Sequence, residues 1–96
     1  MEKIIMLHPC PISGKYIAEF NLENRLSISV LCSKLQNFKV HDLRYSEELG
    51  IVKFDFEEKR VILDSNGKIS ISRINDLKEA EIFISKIKKI VQKTFL

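Results

Sequence analysis

Apolar and polar residues alternate most regularly over Ile51–Phe56, where Val52, Phe54 and Phe56 fall on one side and Ile51, Lys53 and Asp55 on the other. A period of two predicts a strand with one buried face. Glu57-Glu58-Lys59 predicts a turn into a second strand, Arg60–Leu63. Asp64-Ser65-Asn66-Gly67 predicts a turn into a third, Lys68–Ser72, with Ile69 and Ile71 sharing a face. Asn-Gly between alternating runs is a strong hairpin signal, because both residues tolerate positive φ. A meander of this kind needs a cover for its apolar face. Directly after it, Leu77, Ala80, Ile84, Ile87 and Val91 recur at helical spacing, flanked by Phe83 and Ile90. That helix is expected to start at Asn75 or Asp76, with Asp76 and Glu79 as a capping-box-like pair. Lys86, Lys88, Lys89 and Lys93 complement the dipole at its end. The expected core takes in Val52, Phe54, Phe56, Ile62, Ile69, Ile71, Leu77, Ile84, Ile87 and Val91.

The first half of the chain is patterned less sharply. Lys3–Leu7 reads as a short strand ended by His8-Pro9-Cys10-Pro11, whose prolines lack ladder donors and suit a loop or a sheet edge. Lys15–Leu22 reads as a strand with Tyr16, Ala18 and Phe20 against Ile17, Glu19 and Asn21. Asn24 is placed to cap a helix from Arg25 to Gln36 whose buried stripe is Ile28, Leu31, Cys32 and Leu35. Phe38–Tyr45 reads as a strand, with Phe38 and Val40 against Lys39 and His41. After an N-terminal strand and loop over 1–14, the segment 15–96 therefore has the order β-α-β-β-β-β-α. The fold class is α+β: a curved antiparallel sheet with two helices on one face.

Composition narrows the setting. At 96 residues, 45% hydrophobic and 30% charged, the chain is a single domain of globular composition. A net charge of +3 permits an anionic partner without announcing one. The longest apolar runs, Ile4–Leu7 and Val61–Leu63, are far too short to span a membrane, so no membrane partner is expected. The opening Met1-Glu2-Lys3 carries no secretory pattern, which makes the cytoplasm the expected location. Cys10 and Cys32 make no disulfide framework and are expected to be reduced there. Abundant Lys, Glu and Ile with no Trp suit a thermophile or an AT-rich coding bias equally.

Candidate chemistry is sparse. His8 and Cys10, with Cys32 and His41, are residue types that bind zinc, but their spacing matches no standard signature, and Cys32 falls on the apolar helix stripe. No metal or cofactor is expected. Glu47, Glu48, Glu57, Glu58 and Asp64 all lie at expected turns, where solvation alone favours acids. No nucleophile–base order or phosphate-cradling loop is present, so a binding module is expected rather than an enzyme.

Val61-Ile-Leu-Asp-Ser-Asn-Gly-Lys-Ile-Ser-Ile-Ser72, followed by Asp76-Leu-Lys-Glu-Ala80, resembles the end of one repeat of the TATA-box-binding protein fold. Tyr16-Ile-Ala-Glu-Phe-Asn-Leu22 resembles the opening strand of such a repeat. The resemblance covers 15–92, one repeat, where the transcription factor carries two. It implies DNA binding by the concave sheet face, with apolar wedges between base steps. Carried over by strand register, Leu49 and Leu63 take the wedge positions. Ile51, Lys53, Asp55, Val61, Lys68, Ser70 and Ser72 face the groove, and Lys15 lies near the family's first-strand Asn. The implied partner is nucleic acid. The alternative is a protein partner, with the chain as an adaptor or assembly factor. A lone repeat would also expose the edge of Tyr16–Leu22, inviting a homodimer unless Lys3–Leu7 covers that edge.

Overall fold

Alternation along β2, β4, β5 and most of β6 places one side of a continuous sheet beneath two helices. The computed structural model of the protein describes residues 5–12, 14–22, 25, 27–36 and 40–91. The strands are β1 (Met6–Pro9), β2 (Tyr16–Asn21), β3 (His41–Ser46), β4 (Ile51–Phe56), β5 (Lys59–Asp64) and β6 (Lys68–Ile74). The helices are α1 (Ile28–Leu35) and α2 (Leu77–Val91). The sheet order is β1-β2-β6-β5-β4-β3, antiparallel at every pair. Strands β3 to β6 form a meander that ends beside β2, and α1 carries the chain from β2 to β3 at the far edge. The expected meander is present, within an α+β fold.

One core fills the space between sheet and helices. Ala18, Phe20, Val52, Phe54, Val61, Leu63, Ile69 and Ile71 supply the sheet side. The helix side is the α1 stripe Ile28, Leu31, Cys32 and Leu35, as the spacing predicts, and Ala80, Phe83, Ile84, Ile87, Ile90 and Val91 of α2. Leu77, expected in the core, is exposed because it opens α2 at the rim. Phe56 is half-buried and meets Phe83 edge-on, with ring centroids 6.4 Å apart.

The second strand of the meander reverses the expected faces. Ile62 is 37% exposed, whereas Val61 and Leu63 are fully buried. The turn before it explains why. It spans only Glu57 and Glu58, so Phe56 pairs with Lys59 and Phe54 with Val61. A turn that also took in Lys59 would have set Phe54 opposite Ile62, and a one-residue slip flips every side chain to the other face. Both glutamates hold positive φ, 48° and 69°, a backbone that normally selects Asn or Gly. Leu63 is therefore a core residue and not a groove wedge, and Val61 leaves the expected groove face with it.

The second turn also differs. Only Gly67 takes positive φ, at 96°. Its N–H donates to the Asp64 carbonyl at 3.0 Å, while Asp64 Oδ1 accepts from the N–H groups of Asn66 and Lys68, each at 3.0 Å. The aspartate organises this turn, and Asn66 needs no left-handed backbone.

Helix α2 is capped as expected: Asp76 Oδ1 accepts the Glu79 N–H at 2.8 Å, and Glu79 Oε1 accepts the Asn75 N–H at 3.0 Å. Helix α1 starts later than expected, after Ser27, whose carbonyl accepts the Leu31 N–H at 2.9 Å; Arg25 precedes it. The expected cap Asn24 lies outside the described residues, as do Lys3, Ile4, Phe38, Lys39 and Lys93. Strand β1 runs through His8 to Pro9, where an edge position tolerates the missing donor. It pairs with β2 along Met6–Pro9. The β2 edge expected to recruit a second copy is thus already occupied. Among the described residues no helix is long and apolar enough to cross a membrane.

Two measurements check this register. Leu63→Ala should cost about 2–5 kcal/mol in urea unfolding, as expected for a buried leucine, while Ile62→Ala should cost about 1 or less. Equal losses would contradict the assignment. Glu58→Gly should instead stabilise the fold by about 0.5–1 kcal/mol. It relieves a left-handed cost of roughly 1–2, against a glycine entropy cost of roughly 0.5–1.

Candidate interaction face

Among the described residues, the side of the sheet away from the helices is open. Direct cross-strand pairs share a face, so the pairing register assigns its residues. One row crosses Met6, Glu19, Ser70, Ile62, Lys53 and Arg44; a second crosses Asn21 and Lys68 and, on the neighbouring strands, Asp64, Ile51 and Ser46. Lys53, Lys68, Ser70 and Ser72 stand on strands β4 and β6 as the carried-over register implies. Lys15 stands at the far end of β2 from Lys68. It lies in the β1–β2 connection, where its carbonyl accepts the Cys10 N–H at 2.7 Å. From there to Asn21, the partner of Lys68, is six positions along β2, roughly 20 Å. Leu49 is 72% exposed in the turn between β3 and β4, where its N–H is held by Ser46 Oγ at 3.2 Å. Leu63 is absent from the face because it is buried.

Two irregularities shape the opposite end. In β2–β6, Ala18 pairs with Ile71 but Tyr16 pairs with Ile74, so β6 carries an extra residue. The bulge lets Ile71 and Ile74 both point into the core, and Arg73 within it has φ of 63°. In β3–β4, His41 pairs with Asp55 and Arg44 with Lys53, so β3 carries an extra residue beside Asp42, whose φ is 53°. That bulge brings Arg44 to the open face, although unbroken alternation would set it on the face of Val40. Arg44 could not have been assigned from the sequence for this reason. Arg60 and Ile62 were missed through the turn-length error.

Lys59 locks the first bulge to the helix. It is only 9% exposed; its ammonium donates to the Arg73 carbonyl and lies 3.0 Å from Glu79 Oε1. The Arg73 guanidinium donates to the Glu58 carbonyl at 3.0 Å, and Lys86 pairs with Glu57 at 3.0 Å. The Lys59 hydrogen bond, helped by the Asn75 N–H, holds the Glu79 carboxyl below its usual range.

Charge on the open face is mixed. Arg60 Nε donates to Asp55 Oδ1 at 3.1 Å, and this bond holds the Asp55 carboxyl below its ordinary value. Lys68 lies 3.7 Å from Glu19, and His8 Nε2 lies 3.5 Å from the same carboxylate outside hydrogen-bonding geometry. Arg44 and Lys53 have no ion-pair partner among the described residues. A polar hollow of about 230 Å³ is lined by Asp42, Arg44, Lys53, Asp55 and Arg60. A more apolar one of about 420 Å³ lies among Cys10, Ile12, Ile17, Arg60, Ser72 and Arg73.

Among the described residues neither Cys10 nor Cys32 is in a disulfide, and burial pushes the Cys32 thiol up. Among the described residues no group of three or more His, Cys, Asp or Glu side chains is placed to hold a metal ion. No protein family, curated protein or solved structure matches the chain.

The lowered carboxyls of Asp55 and Glu79 link stability to pH. A depressed folded value contributes stability that is complete above the unfolded carboxyl range, near 4, and lost as pH falls through the folded values. Urea midpoints should therefore start to drop below about pH 5 and keep falling through about pH 3, and Lys59→Met should shrink that drop by removing the partner of Glu79. An unchanged acid limb in Lys59→Met would show that the pair does not carry the effect.

Proposed function

We propose that the protein is a small binding module that works through the open face of its sheet, with another protein as the partner. The observation that carries this reading is the make-up of that face. Exposed Ile51 and Ile62 and partly covered Ile17 sit among cations and carboxylates of nearly balanced number. Asp55 and Glu19 neutralise Arg60 and Lys68 in place. An apolar centre within a mixed polar rim suits a protein surface. A phosphate backbone would meet Asp55, Asp64 and Glu19 along with the cations.

Nucleic-acid binding is the second reading, favoured by the unpaired Arg44 and Lys53. In it, Lys53, Lys68, Ser70 and Ser72 make backbone contacts, and Leu49 replaces the pair of wedges once expected from Leu49 and Leu63. The strand order β2-β6-β5-β4-β3, with α1 and α2 on one side, supports reading the chain as a single TATA-box-binding-protein-like repeat to which β1 is added. In both readings the module acts by binding rather than by chemistry, in the cytoplasm, without metal or cofactor.

Site-specific photocrosslinking in cells separates the two. A benzoylphenylalanine in place of Ile62 should give adducts that protease removes, and the same group in place of Glu81, on the solvent side of α2, should give few. Adducts removed by nuclease would transfer the lead to nucleic acid. Adducts from the helix position alone would refute the open face.

A further inference from the structure

We propose that the β3–β4 end of the open face binds a carboxylate-bearing apolar segment of the partner protein, with Arg44 and Lys53 as its anion contacts. The inference deepens the protein-binding reading and rests on it. Arg44 and Lys53 are direct cross-strand neighbours. Like charges in that relation repel and weaken a sheet. Elsewhere on the face the chain neutralises its cations, Arg60 with Asp55 at 3.1 Å and Lys68 with Glu19 at 3.7 Å. Here it places two cations side by side, and among the described residues neither has an ion pair. An anion brought from outside would relieve the repulsion.

The surroundings say what kind of anion. Arg44 and Lys53 divide two hollows. On one side stand Asp42, Asp55 and Arg60; Asp55 is taken up by Arg60, and Asp42 already supplies a negative group there. On the other, a hollow of about 230 Å³ is lined by Tyr45, Ser46, Leu49 and Ile51 together with the same two cations. Leu49 is 72% exposed, a large apolar surface with no cover among the described residues. A ligand that satisfies both features carries a carboxylate over Arg44 and Lys53 and an aliphatic or aromatic group over Leu49 and Ile51. Arginine is also among the residue types enriched at the centres of protein interfaces. Because β3 is the last strand of the sheet, an extended segment can run alongside Leu43–Ser46, past the bulge, and present alternate side chains to the hollow. A bare phosphate chain would satisfy the cations but leave the apolar wall unused.

The test uses the whole chain and labelled dodecapeptides followed by fluorescence anisotropy. One peptide alternates Glu with Leu and Phe; a second has Lys for every Glu; a third has Ser for every Leu and Phe. The first should bind, more weakly as salt rises, and the other two should bind at least about tenfold less well. The double variant Arg44→Glu, Lys53→Glu should lose the first peptide by at least about tenfold and gain the Lys peptide, a reciprocal change that misfolding would not produce. Leu49→Ser should weaken the first peptide several-fold without altering its salt dependence. The proposal fails if the Glu peptide does not bind at low salt, if the Lys peptide binds the parent equally, or if the double variant changes nothing. It also fails if a DNA duplex displaces the peptide at matched charge, or if the double variant dissolves a dimer of the chain that occupies the site. Ile62→Glu keeps the two readings apart. Binding lost there but retained in the double variant would preserve the open face and overturn only this site.

Discussion

Glu57 and Glu58 close the hairpin between β4 and β5 with left-handed backbone at both positions, at a cost of roughly 1–2 kcal/mol each for residues that carry a Cβ. The turn persists because its surroundings hold it. Lys86 of α2 grips the Glu57 carboxylate, Arg73 of β6 grips the Glu58 carbonyl, and the next residue, Lys59, reaches beneath the helix to Glu79. A sheet covered on one side allows each strand a single parity. This two-residue turn selects it for β5, sending Val61 and Leu63 inward and Arg60 and Ile62 outward. Pairing then passes the choice to β6, where Ile71 faces Val61 and Ile69 faces Leu63.

Lys59 makes the turn part of the core. A buried ammonium needs partners, since its desolvation cost otherwise exceeds what packing returns. Here it has the Arg73 carbonyl, the Glu79 carboxylate and the Phe83 ring, 5.6 Å from its nitrogen. Glu79 in turn accepts from the Asn75 N–H at the start of α2. Strand, bulge and helix cap are thereby joined through one side chain. At the other end of the sheet a close approach has the same effect: the Gly50 carbonyl accepts the Ser65 N–H at 2.8 Å, and a Cβ on Gly50 would come within 2.6 Å of Ser65 Oγ.

The chemistry of the open face follows from its departures from regularity. Two bulges, each with a non-glycine residue at positive φ, lie toward the same end of the sheet. One brings Arg44 beside Lys53; the other lets Ile71 and Ile74 fill the core while Arg73 turns back to the hairpin. Bulges commonly re-aim side chains where a surface has work to do. The cost is local strain, accepted where the surrounding packing over-determines the backbone.

What the chain determined by itself is local. Period-two alternation over Ile51–Phe56, the helical stripes of Ile28–Leu35 and Leu77–Val91, and the Asp76–Glu79 cap are written in neighbouring residues; β4 and α2 formed where the pattern placed them, while α1 kept its stripe but began after Ser27 rather than at Arg25. The α+β class and most of the core follow from them. Facing depends instead on distant contacts. Nothing within Glu57-Glu58-Lys59 says whether two residues turn or three, because the left-handed pair is held by Lys86 and Arg73, far along the chain. Of the residues expected on the binding face, Lys53 stands on a strand whose parity the local alternation decides, and Lys68, Ser70 and Ser72 on a strand whose own alternation of Ile69 and Ile71 agrees with the pairing passed on from β5. Leu63 fell to the turn, and Arg44 was hidden by the bulge at Asp42. Side-chain parity accumulates along a strand, so one extra or missing residue, stabilised only by tertiary packing, reassigns everything that follows it.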